Sequence, residues 1–403
     1  MSTRGQVCAW IAVVCVLVPS VTTAQDRTER DLIELIVRDG PQARALRADV
    51  EVRRREQQAR WAYPNPSVTY SREGAGFTEF LQAEQSLPIF GTRDRLARAG
   101  VAATAAAEAE RDARLWLLRT HAAAAVSRVV AEQTRLDAAR TYMRELERLI
   151  EILRTREREG EGSRFDRLRA QEEFREGNQL VTRATVALAE ARAVLAGMLP
   201  QDVTLGGITP AAAVPQPSAT IDTLVTRATS THPELRALQH TSEQAVLEAE
   251  ASRRSRLPAP TVFGGLKRAG DGAGRERGGV FGISAAIPLF DNGGREAARW
   301  EAERARVDAE RASVQQRIRG EIAGAVEVLS ARQAALAMEG QDGAGELVQI
   351  AEVAYREGEV GILELLDAVR TAARARDRFI DLRLDVRLAQ IALERAVGET
   401  LWP

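Results

Sequence analysis

The chain carries one sequence plan twice, and this constrains its fold more than any local feature does. Pro41-Gln42-Ala43-Arg44-Ala45-Leu46 returns 192 residues later as Pro233-Glu234-Leu235-Arg236-Ala237-Leu238. Leu87-Pro88-Ile89-Phe90 returns after 200 residues as Ile287-Pro288-Leu289-Phe290. Arg158-Glu159-Gly160-Glu161 returns after 198 as Arg356-Glu357-Gly358-Glu359, and Ala196-Gly197 after 201 as Val397-Gly398. Order and spacing are kept, and the units are far longer than solenoid repeats of 20–50 residues. The expectation is two fused structural halves, 25–205 and 220–403, joined by a Pro-, Gly- and Ala-rich linker at 206–219.

Each half reads as helix, two strands, long helix, turn and returning helix. Asp31 to Arg60 is predicted helical and is stopped by Pro64-Asn65-Pro66. Ser67 to Arg72 and Thr78 to Leu87 are predicted strands around the turn Glu73-Gly74-Ala75-Gly76. From Arg93 to Arg158 there is no proline. A helix of that length runs ~100 Å at 1.5 Å per residue. Gly160 to Ser163 breaks it, and Phe165 to Leu199 returns. In the second half Ile221 to Arg256 is predicted helical, with strands at Thr261 to Arg268 and Gly279 to Ile287 around a glycine-rich loop. A long helix follows from Gly294 to about Arg356, and the return runs from Ile362 to Val397. The longer second loop is expected to account for the drift from 192 to 200.

The N-terminus has the pattern of a secretory leader. Arg4 precedes the apolar run Val7 to Val18, and Thr22-Thr23-Ala24 offers small residues at a cleavage site, so residues 1–24 are predicted to be removed. The apolar run is shorter than the ~20 residues that span a bilayer as a helix. Cys8 and Cys15 both fall inside this leader, and no small residue precedes Cys15 as a lipidation signal would require. The mature chain then has no thiol and no disulfide. Its charge moves from −1 to −2 with the loss of Arg4, which argues against the strongly basic face of a nucleic-acid binder. Lys267 is the only lysine. Aromatic residues at 4% and charged residues at 28% suit long, charge-laced helices.

The strands indicate the kind of object. Phe281, Ile283, Ala285 and Ile287 alternate with Gly282, Ser284 and Ala286. Leu81, Ala83 and Leu87 alternate with Gln82, Glu84 and Ser86. Such alternation suits an outer-membrane barrel with apolar side chains to lipid and polar ones to a wet lumen. Two hairpins do not make a stable soluble domain, and a barrel needs at least eight strands. Four strands per chain therefore call for oligomerisation, and three copies give twelve strands. The expected fold class is mainly α with a small β portion: a long α-helical coiled-coil barrel plus a transmembrane β-barrel closed by trimerisation.

Taken in order, these features resemble the TolC-type outer-membrane efflux proteins over essentially the whole mature chain. The residues that carry the resemblance are Asn65-Pro66 and the strand exits Leu87-Pro88-Ile89-Phe90-Gly91 and Ile287-Pro288-Leu289-Phe290-Asp291-Asn292-Gly293. The two tips, running from Glu159 to Gln171 and from Glu357 to Ala368, complete it. The resemblance implies a homotrimer crossing the outer membrane and the periplasm. Its helical tips would narrow to a gate and dock on a periplasmic adaptor (membrane fusion) protein that links the duct to an inner-membrane pump of the RND type. The Pro-Leu-Phe-Asp-Asn-Gly exit and His232-Pro233-Glu234-Leu235 look more like the heavy-metal, Czc-type branch. The multidrug or small-molecule branch stays open. His121, His232 and His240 are too far apart in sequence to form a ligand set.

Nothing in the sequence calls for catalysis or a cofactor. Gly270 to Gly279 lacks dinucleotide spacing and is read as an external loop. Glu364 and Asp367 lie three apart, on one face of the returning helix, and three-fold symmetry would turn each into an acidic ring that draws cations. In the family pattern the acidic pair of the second tip falls on these two positions, with glutamate replacing an aspartate at one, and Asp166 holds the matching place in the first tip. The competing reading is ordinary stabilisation of carboxylates by a helix N-terminus. Some family members carry an arginine where Val360 stands, so that latch is not supported here. Gly160, Gly162 and Ser163, with Gly358, Val360 and Gly361, are the expected adaptor-docking tips. Trp61, Trp116 and Trp300 are expected to pack rather than bind. The rival class is a periplasmic adaptor or structural coiled-coil protein, which would carry one helical hairpin beside many-stranded soluble domains.

Overall fold

The computed structural model describes residues 27–74, 77–209, 219–270, 274–339 and 343–402. The leader with Cys8 and Cys15 lies outside these residues, as do most of the linker, part of the first hairpin turn and part of the glycine-rich loop.

The first half begins with β1 (Arg27–Thr28), α1 (Glu29–Asp39) and α2 (Pro41–Arg60). A hairpin of β2 (Ser67–Glu73) and β3 (Phe77–Ser86) leads into α3 (Thr92–Glu159) and α4 (Arg164–Ala196), followed by β4 (Ile208–Thr209). The second half repeats the order with α5 (Ile221–Thr231), α6 (Pro233–Arg254), β5 (Pro260–Gly270), β6 (Arg275–Ala285), α7 (Gly294–Glu339), α8 (Gly343–Glu357) and α9 (Ile362–Val397). The first long helix has 68 residues, as its lack of proline predicts.

Some expectations need correction. The helix expected from Asp31 to Arg60 is two helices, and so is the one from Ile221 to Arg256. Both break directly before a proline, at Gly40 (ψ 153°) and His232 (ψ 124°). A proline ring pushes the preceding residue out of helical conformation but fits at the first position of the next helix. The long second-half helix is described as Gly294–Glu339 and Gly343–Glu357, and residues 340–342 between them lie outside the described residues. The drift between the halves lies mostly in the strands, since β5 has 11 residues where β2 has 7. Two short strands were not expected from the sequence, β1 and β4, and they pair in parallel.

The large sheet runs β2-β3-β5-β6, antiparallel throughout. Its register aligns Val68, Ala83, Gly264 and Phe281 in one row and Tyr70, Leu81, Leu266 and Gly279 in the next. Residues directly opposite one another point to the same side of a sheet. One face is thus apolar and exposed, with Phe281 89%, Val68 70% and Leu266 67% accessible. Toward the hairpin turns the same face continues as a charged row, Arg72, Glu79, Arg268 and Arg277. The other face carries mostly small and polar groups such as Thr69, Gln82, Gly265, Glu84 and Gly282, with Phe80, Phe263 and Val280 among them. A lipid-type band bordered by charge and a polar reverse face fit the alternation read from the sequence. Among the described residues no helix is long and apolar enough to cross a membrane.

Helices follow the strands in the same order. Next to the sheet α2 packs on α3, α3 on α6, and α6 on α7. Farther away α4 packs on α3, α3 on α9, and α9 on α7 and α8. Two cores mirror each other at mid-length. Leu32 and Ile36 of α1 pack with Leu118 and Val126 of α3, while Leu224 and Ala228 of α5 pack with Ile318 and Ile322 of α7. Trp61 covers Gly100, where a Cβ would fall 2.2 Å from the ring, so it packs as expected. At the sheet end of the bundle, Arg60 donates to both oxygens of Glu248 at 2.6 and 2.8 Å and to Gln57 at 2.7 Å. The Glu248 side chain is only 2% accessible.

Candidate functional site at the helical tips

The two tip turns are built alike. Gly160 ends α3 at φ 83° and Gly358 follows α8 at φ 76°, a backbone region that favours glycine. Glu161 N–H donates to Arg156 O at 2.9 Å, and Glu359 N–H donates to Ala354 O at 2.9 Å. These bonds close orphan carbonyls at the helix ends. Ser163 then caps α4, its Oγ accepting from Phe165 N–H at 3.1 Å. Gly361 caps α9 without a side-chain bond.

Gly160, Ser163, Gly358 and Gly361 are exposed at the very end of the molecule, while Gly162 and Val360 are half-buried. Gly162 sits against α3, where a Cβ would fall 2.9 Å from the Arg156 Cβ. Val360 turns inward onto the core formed by Tyr355, Ile362, Leu366 and their neighbours.

Asp166 and Glu364 come from different halves of the chain and line one cleft between the tips, with Arg156, Glu161 and Tyr355. Asp367 does not line this cleft. It stands exposed on α9, on the same face as Glu364, with Leu365 and Leu366 turned to the core. Sequence reasoning missed Tyr355. Its ring lies 5.3 Å from the Arg156 guanidinium, and its backbone oxygen accepts from Arg156 Nη1 at 3.4 Å. Burial pushes its hydroxyl pKa up, and the Asp166 charge beside it adds to this while Arg156 opposes it. The contact from Arg156 and Asp166 to Tyr355 thus ties the first hairpin to the second.

A ladder of ion pairs continues this tie above the tip. Glu173 of α4 accepts from Tyr142 Oη at 2.6 Å and from Arg370 of α9. Arg376 forks onto Glu145 at 2.9 and 3.1 Å, and Arg135 reaches Asp377 at 2.9 Å and also Asp381. Glu173 is 5% accessible. Burial opposes its charge, but hydrogen bonds from Arg370 and Tyr142 outweigh burial and hold its carboxyl below the ordinary value. A depressed carboxyl contributes stability above its unfolded value of ~4.3 and loses it as pH falls through the lower folded value. The thermal midpoint is therefore expected to drop on acidification below about pH 4, and to drop less in Glu173→Gln. Parallel profiles for the two proteins would rule this out.

Among the described residues no three His, Asp or Glu side chains gather as a metal site. The three histidines stay apart. His232 is buried and caps α6, Nδ1 accepting from Glu234 N–H at 3.3 Å, while His240 pairs with Glu243 and His121 is exposed on α3. The residues of the Asp-Asn-Gly exit are occupied locally as well. Asp291 Oδ1 accepts from Gly293 N–H at 3.1 Å, and Asn292 Oδ1 from Gly294 N–H at 3.0 Å.

Residues 224–399 match the family model described as outer membrane efflux protein. The match spans less than half of the chain. No curated protein matches the chain. Among solved structures, CusC is similar at 18% identity and TM-score 0.71, covering 93% of this chain and 92% of its own. VceC from Vibrio cholerae is similar at 18% identity and TM-score 0.68, covering 92% and 96%. MtrE of Neisseria gonorrhoeae, solved in an open state, is similar at 20% and 0.69, covering 93% and 89%. At these identities the likeness establishes the fold, that of the TolC-like channels read from the sequence.

Proposed function

We propose that this chain is an outer membrane efflux protein and that three copies form the passive exit duct of a tripartite efflux system. The observation that carries this reading is the sheet. It has a lipid-type face, a polar reverse face and two unpaired outer strands, β2 and β6, of opposite direction. Unsatisfied backbone groups in lipid cost several kcal/mol each, so a membrane sheet must close on itself. An antiparallel sheet of four strands continues without a break in polarity when β6 of one copy meets β2 of the next. Three copies then close a twelve-stranded barrel. The halves 25–205 and 220–403 act as two copies of one wall unit.

In this reading the tips form the periplasmic gate. Asp166 and Glu364 face the cleft between hairpins, and Asp367 extends the acidic surface along α9. The exposed Gly160, Ser163, Gly358 and Gly361 present backbone to a periplasmic adaptor, while Gly162 and Val360 set the turns from within. The adaptor connects the duct to an RND-type inner-membrane pump.

The cargo we favour is divalent heavy-metal cations, supported by the acidic tip. The exit and His-Pro-Glu-Leu motifs add little, because their polar groups serve as local caps. A strain lacking the protein is expected to become sensitive to zinc, cobalt, cadmium, nickel or copper while keeping its tolerance of dyes and antibiotics. Sensitivity to dyes and antibiotics instead would reassign the cargo to the multidrug branch.

A further inference from the structure

Charge on the sheet is sorted by sign. Arg72 and Glu73 are neighbours on β2, and Arg275, Glu276 and Arg277 follow one another on β6. Successive strand residues point to opposite sides. The register sends the arginines to the apolar face, where Arg72, Glu79, Arg268 and Arg277 form one row and Arg275 stands two residues beyond it. It sends the glutamates to the reverse face, where Glu73 and Glu276 flank Thr78 and Ala269. All four arginines are exposed. The carboxylate in their row is already engaged, since Glu79 accepts from Tyr70 Oη at 3.0 Å and lies 3.9 Å from Arg268.

The charge is also sorted by height. On the helix side of the sheet the stretches 63–71, 85–91, 257–266 and 278–290 contain no charged residue. That edge instead exposes Tyr63 at 60%, Phe90 at 47% and Phe290 at 96%, side chains that suit an interface with weakly charged lipid. From Ala285 at the end of β6 to Arg277 the strand climbs ~27 Å, or ~20 Å in height at a tilt of ~40°. The arginines therefore border the far edge of an apolar band about 25 Å tall.

We propose that this arginine belt docks the phosphate groups of a multiply phosphorylated glycolipid in the outer leaflet. The proposal rests on the duct reading, which puts the helices in the periplasm and the hairpin turns at the outer leaflet. Charges that only marked the edge of the band, or only kept strand edges apart, could have either sign. Here one sign faces lipid and the other faces away, at one leaflet and not at the other, so the complementary surface is an anionic one. Guanidinium groups fork onto phosphate oxygens and hold them in a fixed geometry. Arg268 and Arg277 sit on adjacent strands ~4.8 Å apart, and Arg275 lies ~7 Å along from Arg277. Three long side chains at that spacing can converge on one phosphate. Arg72 lies three strand spacings from Arg277, ~14 Å away, and reaches a second phosphate of the same headgroup.

Binding of fluorescent bisphosphorylated lipid A to the full-length chain, extracted in detergent, tests this. The intact lipid is expected to bind at least about tenfold more tightly than the same lipid stripped of its phosphates, or than singly charged phosphatidylglycerol. The advantage should shrink as salt is raised. Arg268→Gln with Arg277→Gln is expected to weaken binding of the intact lipid about twentyfold, as two basic residues worth roughly fivefold each would give. Glu73→Gln with Glu276→Gln, on the reverse face, is expected to leave it unchanged. Equal binding of the intact lipid and either comparison lipid by the unaltered protein would overturn the belt, whether or not the variants assemble. An equal loss from both double variants would overturn it as well. Fractionation keeps this apart from the duct reading. A chain found in the outer membrane that binds all three lipids equally loses the belt and keeps the duct, and a chain absent from that membrane loses the duct.

Discussion

Arg60→Ala is expected to destabilise the protein by about 3–5 kcal/mol, the range for stranding a buried charge. The reason is the asymmetry of the pair. The Glu248 side chain is 2% accessible, and its partner Arg60 is 39% accessible. Removing the arginine leaves a deeply covered carboxylate without the guanidinium that bonds both its oxygens. Removing the carboxylate leaves a guanidinium that can turn toward solvent and still bond Gln57. Glu248→Ala should therefore cost clearly less than Arg60→Ala, and the double change Arg60→Met with Glu248→Leu should recover part of the loss. Thermal or denaturant midpoints of the purified protein in detergent measure all three. An Arg60→Ala midpoint as mild as that of a surface change such as Arg30→Ala would show that the pair does not hold the sheet end of the bundle.

Replacing Glu364 and Asp367 together by alanine is expected to reduce cation selectivity several-fold in a planar bilayer. In the proposed trimer, three copies around one axis would lose six negative charges at the narrow end of the duct. A local potential worth about 1 kcal/mol per unit charge concentrates monovalent cations roughly fivefold, and surface potentials in clefts reach several kT. The reversal potential under a salt gradient should shift toward zero, and the shift should shrink as salt screens the ring. An unchanged reversal potential would remove both residues from the gate. Asp166→Asn should act differently, because Asp166 lies against Tyr355 in the tie between hairpins.

What the sequence made legible was what short-range chemistry encodes. The tip turns could be read because glycine is needed where φ is positive, at Gly160 and Gly358. The return helix Ile362–Val397 matched to the residue because Gly361 and Gly398 bracket it. The membrane face could be read because strand side chains alternate with period two. The breaks at Gly40 and His232 were also readable, since Pro41 and Pro233 mark them, but continuous helical periodicity on both sides masked the signal. The tie of Glu173 to Arg370, 197 residues apart, was not legible, because no local pattern tells a surface carboxylate from one that a distant helix will cover. The pairing of β1 with β4 escaped for a different reason. Two residues per strand carry no periodicity at all.

The unpaired edges of β2 and β6 have a consequence for the life of the chain before it is assembled. A lone copy offers raw backbone donors and acceptors on two sides and Phe281, Ile283 and Leu266 on an outward face, a surface open to wrong partners. Only the halves of those strands nearest the hairpin turns carry guarding charges, Arg72 and Glu73 on one and Arg275, Glu276 and Arg277 on the other. The same features that close a barrel make the free monomer a hazard in transit. In the trimeric duct proposed above, an unassembled copy is expected to need escort between secretion and insertion, and its steady-state level is expected to follow the supply of that escort more closely than the rate of its own synthesis.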